Sequence, residues 1–193
     1  HVGVTSTTDR IQQRVAELLT MPSLRDDQQV HGVVADLTVP TYVSALADAA
    51  RQISGAFDVV VNHAGMTSVS SPQAGGGIDD VGLEEWDAVL ARNASTAYAV
   101  IRACLPAMRA AGSGRIINVT SVTGPVMAMR HEIAYAAAKA AIVGMTRALA
   151  VDLAAEGITV NAVAPGWIHT GSATAHEDAQ GLTTPMRRSG TPE

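Results

Sequence analysis

Short apolar, β-branched runs recur along the chain, each bounded by Gly, Asp or Asn: HVGVTS (1–6), HGVVADL (31–37), FDVVVNHAG (57–65), GRIINVTS (114–121) and GITVNAVAPG (157–166). Their hydrophobicity is nearly continuous, which predicts strands buried in a sheet. Between them apolar residues return every three or four positions, predicting helices over 8–19, 40–54, 83–111 and 132–156. Alternating strands and helices predict an α/β fold, a doubly wound parallel sheet with helices on both faces. Ligands of such sheets sit beyond the carboxyl ends of the strands. The positions to inspect are therefore 5–8, Asp36, 62–65, 120–124 and 165–170.

Two segments fall outside this rhythm. The Gly-rich stretch SSPQAGGGIDD (70–80) does not follow a strand directly and lacks a G-x-x-x-x-G-K pattern, so it reads as a surface loop. The tail from 171 to 193 is weakly periodic and rich in Thr, Gly and Pro, as expected of a mobile substrate loop or a frayed end. The last helix has two faces. Ala134, Ala138, Ile142, Met145, Leu149 and Leu153 form an apolar stripe to pack on the sheet, while Ala137, Ala141, Ala148 and Ala155 leave a smooth second face for a symmetry mate.

Composition narrows the function. A chain of 193 residues with 47% hydrophobic side chains is long enough for one core and short for two. The net charge of −5, without blocks of like charge, gives no reason to expect a nucleic-acid partner. Cys104 is the only cysteine, so it makes no internal disulfide and fits a reducing, cytoplasmic setting. Neither a targeting pattern nor a run of about 18 apolar residues is present, so no membrane span is expected. The six histidines lack metal-ligand spacing with a carboxylate, and no metal site is expected.

The chemistry starts from the one lysine. Lys139 lies four residues after Tyr135 in YAAAK, so on a helix the two side chains share a face about 6 Å apart. Bringing a phenol from its ordinary pKa of about 10 to about 7 takes roughly 4 kcal/mol. An ammonium about 4 Å away supplies that much at an effective dielectric of about 20. A solvent-facing Tyr and Lys on an amphipathic helix is the plain alternative. Ser121, where the strand RIINV leaves the sheet, adds a hydroxyl able to donate to a carbonyl oxygen.

Taken together, NHAG, NVTSVTG, YAAAK and VNAVAPGWIHT, in that order, resemble the short-chain dehydrogenase/reductase family over nearly the whole chain. Within it the sequence looks most like the 3-oxoacyl-acyl-carrier-protein reductases and related alcohol or sugar dehydrogenases. The resemblance implies a single Rossmann-type domain that moves a hydride between a nicotinamide dinucleotide and a carbonyl or alcohol, in a homodimer or homotetramer. Tyr135 would be the acid or base, Lys139 would lower its pKa and hold the nicotinamide ribose, and Ser121 would orient the substrate oxygen. Asn93, in ARNAST, would hold a water of the proton relay. For the cofactor, Asp36 and Leu37 would flank the adenine, and Asn62, Ala64 and Gly65 would lie along the ribose. Pro165 and Gly166 would shape the turn in which Ile168 and Thr170 grip the carboxamide. Where NAD enzymes of this fold place an acid, the chain has Thr5, Ser6 and Thr7, so NADP(H) is expected over NAD(H), its 2′-phosphate taken by Ser6 and Thr7, with Arg10 nearby; Asp9 is a competing acid, read instead as a cap of the following helix.

The chain departs from the family at several points. The glycine-rich T-G-x-x-x-G-x-G turn that would cradle the pyrophosphate is absent, as is the last strand, so a longer protein of about 240 to 260 residues is expected. In the order 3-2-1-4-5-6 the absent strand is central, and a gap there is expected not to persist. His63 stands where the family most often has a second asparagine. His131 and His169 may be read as bordering the pocket or as surface residues; Met127, Met129, Trp167 and Met186 as pocket lining or core. Two other functions use the same features: a non-catalytic dinucleotide-binding scaffold, and an epimerase or dehydratase with the same tyrosine as base.

Overall fold

Wherever an apolar run is bounded by turn residues, the chain is extended. The computed structural model describes all residues except Asp26, Ala56, 66–74, Ser172 and Glu193. Its strands are β1 (Val2–Ser6), β2 (Val30–Val34), β3 (Val59–Asn62), β4 (Gly114–Val119) and β5 (Ile158–Val163). All the pairings are parallel, as the strand–helix alternation requires. β2 to β5 each stop before the end of their apolar runs, leaving the last residues as loops at the sheet's carboxyl edge, while β1 runs to the end of its own. The tested loops at 5–8, 62–65, 120–124 and 165–170 are these strand exits.

The helices are α1 (Arg10–Leu19), α2 (Pro40–Ser54), α3 (Leu83–Leu90), α4 (Thr96–Ala111), α5 (Ile133–Leu153) and α6 (Ala175–Gly181). Pro40 opens α2, where its missing N–H costs nothing. The region expected as one helix over 83–111 is three pieces, because a π turn at Ala91–Ser95 separates α3 from α4. α6 was not expected from periodicity. It is held by a capping box in which the Glu177 N–H donates to the Thr174 hydroxyl and the Thr174 N–H donates to the Glu177 carboxylate. Glycines 75–77 of the stretch 70–80 lie beside the start of α5, where the Gly76 N–H donates to the His131 carbonyl at 2.6 Å. Residues 70–74 of that stretch lie outside the described residues.

The sheet is not continuous. β1 pairs with β2, and β3, β4 and β5 form a second sheet in that order. The gap expected not to persist is present, between β1 and β3. On β3, Val59 and Val61 are 54% and 56% exposed while Val60 and Asn62 are buried. The covered face carries the core: Val60, Ile116, Ile158 and Val160 pack with Ile101, Cys104 and Met108 of α4 and Leu153 of α5. α5 thus buries the predicted stripe, with Met145 and Leu149 packed against the same core. By length and composition Ile133–Glu156 could cross a membrane, yet here it packs along β5 as a core helix. An open groove of about 400 Å³ follows the outer side of β5, lined by Arg115, Ala150 and Asn161 among others, and Tyr135 is not part of it.

Candidate active site

The ends of β4 and β5 are bound to each other and to α5. The Thr120 N–H donates to the Val163 carbonyl, the Val122 N–H donates to the Pro165 carbonyl, and the Thr120 hydroxyl donates to the Lys139 carbonyl at 2.7 Å. Gly124 then turns the loop back with φ +99°. A Cβ there would lie 2.2 Å from the Ala136 carbonyl oxygen, so only glycine lets the serine loop rest on the helix turn that carries Tyr135.

These constraints bring Ser121, Tyr135 and Lys139 together. The Ser121 Oγ accepts the Thr123 N–H at 3.1 Å, which leaves its own proton to donate toward the site. The Ser121 hydroxyl lies close enough to Tyr135 to pull its pKa downward. Lys139 is buried; its Nζ stands 5.6 Å from the centroid of the Tyr135 ring and donates to the Val119 carbonyl at 3.2 Å. The three chemically expected groups are one cluster at the exit of β4.

The electrostatics differ from the expectation. Burial pushes the Tyr135 phenol above its ordinary pKa of 10.0; the Ser121 hydrogen bond pulls the other way, and the carboxylates of Glu132 and Glu177 push it further up. Lys139 is not among the influences that move Tyr135. Its ammonium is turned to the Val119 carbonyl, and burial lowers its own pKa to about 8. The tyrosine in this structure is a neutral phenol at neutral pH. The helical spacing placed the cation beside the ring, while the desolvation that raises the phenol's pKa is invisible in the spacing.

Asn93 sits inside the π turn, 1% exposed, and donates from Nδ2 to the Val89 carbonyl at 2.9 Å. Its Oδ1 faces Gly65, where a Cβ would come within 2.8 Å and where φ is +150°. Asn93 is therefore joined to the turn after β3. Asn62, placed by sequence among the ribose contacts, donates from its side chain to the Asn118 Oδ1 at 2.9 Å. Asn118 donates in turn to the Thr146 hydroxyl, which donates to the Ile142 carbonyl. This buried chain of polar groups ties β3 through β4 to α5. The role of Asn118 and Thr146 was not recognised in the sequence, although an Asn inside the apolar run RIINV is a signal that a buried partner must exist.

The other expected cofactor residues line the carboxyl edge. Ser6 ends β1, Thr7 follows it exposed, and Ala64 and Gly65 follow β3. The Asp36 carboxylate accepts the N–H and hydroxyl of Thr38, which organises the entry to α2, and Leu37 beside it is half-buried. Pro165 is half-buried and Gly166 exposed. Beyond them Ile168 bridges to Gly190, and the Thr170 carbonyl accepts the Ala173 N–H. The tail expected as a mobile loop carries α6 and returns to this edge, where the His169 N–H donates to the Gly190 carbonyl and Gly190 donates to Trp167. His169 also pairs with Asp178 at 2.7 Å. Met127 and Met186 are exposed, not core. No cluster of metal-ligating side chains occurs among the described residues.

A nicotinamide dinucleotide fits part of this edge. Buried Lys139 uses one of its three donors on Val119, and the remaining two suit the hydroxyls of a ribose. Ser6 and Thr7 offer hydroxyls with no carboxylate at 5–8.

The chain matches the family model described as short chain dehydrogenase over residues 2–181. It is 36% identical over 136 residues to D-beta-hydroxybutyrate dehydrogenase of Rhizobium meliloti strain 1021, covering 70% of this chain and 50% of that protein. With the 3-oxoacyl-[acyl-carrier-protein] reductase FabG of Vibrio cholerae it shares 35% over 153 residues, 79% of this chain and 60% of the relative. The chain thus spans about half to three fifths of the length of these relatives. Among solved structures, an ElxO variant with NADPH bound superposes with a TM-score of 0.83 at 26% identity, covering 99% of this chain and 76% of the other. An NAD+-bound xylitol dehydrogenase shares the fold, with a TM-score of 0.84 at 23% identity over 98% of this chain and 76% of its own.

Proposed function

The chain belongs to the short chain dehydrogenase family, and from that premise we propose that it is an oxidoreductase transferring a hydride between NADP(H) and a carbonyl or secondary alcohol. A 3-oxoacyl thioester is the first substrate to try. The observation that carries the reading is the cluster of Tyr135 and Ser121 with buried Lys139 beside the Tyr135 ring. The bound dinucleotide supplies or accepts the hydride. The chain's own residues manage the oxygen and its proton.

In the direction of reduction, negative charge develops on the carbonyl oxygen. Ser121, its Oγ already accepting from Thr123, donates to that oxygen. Tyr135 holds its proton at neutral pH and delivers it to the same atom, and its raised pKa keeps it in the donor form. Asn93 holds the turn at Gly65 and orders the water through which Tyr135 is reprotonated. Oxidation of an alcohol runs the same steps backwards.

Lys139 would hold the ribose hydroxyls, and Ser6 with Thr7 would take a 2′-phosphate. The preference for NADP(H) rests on the absence of a carboxylate at the exit of β1. Relatives support both cofactors, one structure holding NADPH and another NAD+. For assembly we favour a homodimer or homotetramer through α5, whose Ala141 and Ala148 are exposed and whose Val151 is 79% exposed, with Ala155 exposed in the turn just beyond it.

The test pairs NADPH binding, followed by nicotinamide fluorescence, with oxidation of NADPH over a panel of acetoacetyl thioesters, sugars, steroids and small ketones. Tyr135→Phe should keep binding and lose turnover by about 10²- to 10⁴-fold. Binding without turnover by the wild type on every carbonyl would instead make the chain a non-catalytic dinucleotide-binding scaffold.

A further inference from the structure

We infer that Thr96 is a positioning residue for Asn93: its hydroxyl holds the π turn that aims the Asn93 amide at the turn after β3. In a regular α-helix the Thr96 N–H would serve the carbonyl four residues back, that of Arg92. Here it reaches five residues back, to Ala91. The Thr96 hydroxyl takes over the position its N–H has left, donating to the Arg92 carbonyl at 2.9 Å and sharing that proton with the Asn93 carbonyl at 3.0 Å. Thr96 is 4% exposed, so no water competes for these carbonyls at its position.

A π turn is a strained register that persists where something compensates for its displaced bonds, and such turns concentrate at functional sites. Removing the hydroxyl sets the Arg92 carbonyl in competition for the Thr96 N–H. The register then slips toward the α form, in which one residue is worth about 100° of rotation. Asn93 would lose its aim. Its two ends are set by this register: Nδ2 on the Val89 carbonyl, Oδ1 against Gly65, whose missing side chain makes the approach possible. Thr96 touches neither substrate nor cofactor in this scheme; it acts through Asn93. The consequence for turnover rests on the hydride-transfer reading above, whereas the placement of Asn93 does not.

The experiment compares Thr96→Val, which keeps shape and loses the hydroxyl, with Thr96→Ser, which restores it. By NMR, the Asn93 side-chain amide should exchange slowly in the wild type and Thr96→Ser and at least tenfold faster in Thr96→Val, whether or not any turnover is found. If Thr96→Val does not fold, Thr96→Ala is read by the same signal. In turnover, Thr96→Val should lower kcat by about tenfold with KM nearly unchanged. It should also alter the solvent isotope effect as Asn93→Ala does, and add no further loss in the double variant with Asn93→Ala. Unchanged Asn93 exchange in Thr96→Val overturns the inference, as does a loss additive with Asn93→Ala. Absence of wild-type turnover together with the expected exchange pattern overturns the hydride-transfer reading and leaves the positioning intact.

Discussion

The two sheets of this molecule are built to different standards. β3, β4 and β5 bury Val60, Ile116, Ile158 and Val160 against α4 and α5, and a polar chain from Asn62 through Asn118 to Thr146 runs through the same layer. β1 and β2 have no fully buried residue, and the buried apolar groups beside them are Ile11 of α1 and Ala35 past the end of β2. The proposed catalytic groups stand on the first unit; Ser6 and Thr7, the groups that would select the cofactor, stand on the second. Chemistry that depends on positions held to a fraction of an ångström sits where packing is densest.

The comparison can be broken by stability measurements. Ile116→Ala should cost about 4 kcal/mol in chemical denaturation and Ile11→Ala about 2, because the second site has fewer packed neighbours to lose. Equal costs would erase the distinction between the sheets.

The pH dependence of stability sharpens it, since two buried groups of the dense unit act in opposite directions. Folding lowers Lys139 from 10.5 to about 8, so the buried charge is a penalty below pH 8 that is relieved as pH rises toward 10.5, by up to about 3 kcal/mol. Burial raises the Cys104 thiol from 9.0 to about 11, so its contribution is complete below pH 9 and is lost on the way to pH 11, by up to about 3 kcal/mol. Denaturation of Lys139→Met should lack the first change, and that of Cys104→Ala the second. Variants that retain the wild-type slopes would show that neither group is desolvated as described.

Smaller effects follow. Asn118→Ala removes a partner from both Asn62 and Thr146 and should cost about 2 kcal/mol, more than Thr38→Ala at the exposed Asp36 turn. Ser6→Asp places a carboxylate against a 2′-phosphate and should shift the ratio of NADPH to NADH affinity by about tenfold toward NADH. An unchanged ratio would remove Ser6 from the cofactor site.

Much of this architecture is legible in the amino-acid order. Apolar runs mark all five described strands, and helical spacing places Tyr135 and Lys139 on one face of α5 beside the exit carrying Ser121. The π turn at Ala91–Ser95 is not legible, because ARNAS has no apolar stripe that would distinguish a register of five from one of four. The cap of α6 is: TAHE is a capping-box sequence, overlooked because seven residues are too few to show periodicity. The break between β1 and β3 lies where the family resemblance implied an absent strand. Spacing also misjudged the charge state of Tyr135. It reports distance, whereas the balance depends on burial and on Glu132 and Glu177, one of them on a helix that periodicity did not reveal.

Ionisation of Tyr135 tests that balance most directly. Tyrosinate absorbance can be titrated in the cofactor-free protein, with Tyr135→Phe subtracted to remove the exposed Tyr42 and Tyr98. Tyr135 should ionise above 10, as a phenol whose burial outweighs the Ser121 hydrogen bond. A midpoint near 7 would contradict the account and return the control of the site to the charge of Lys139.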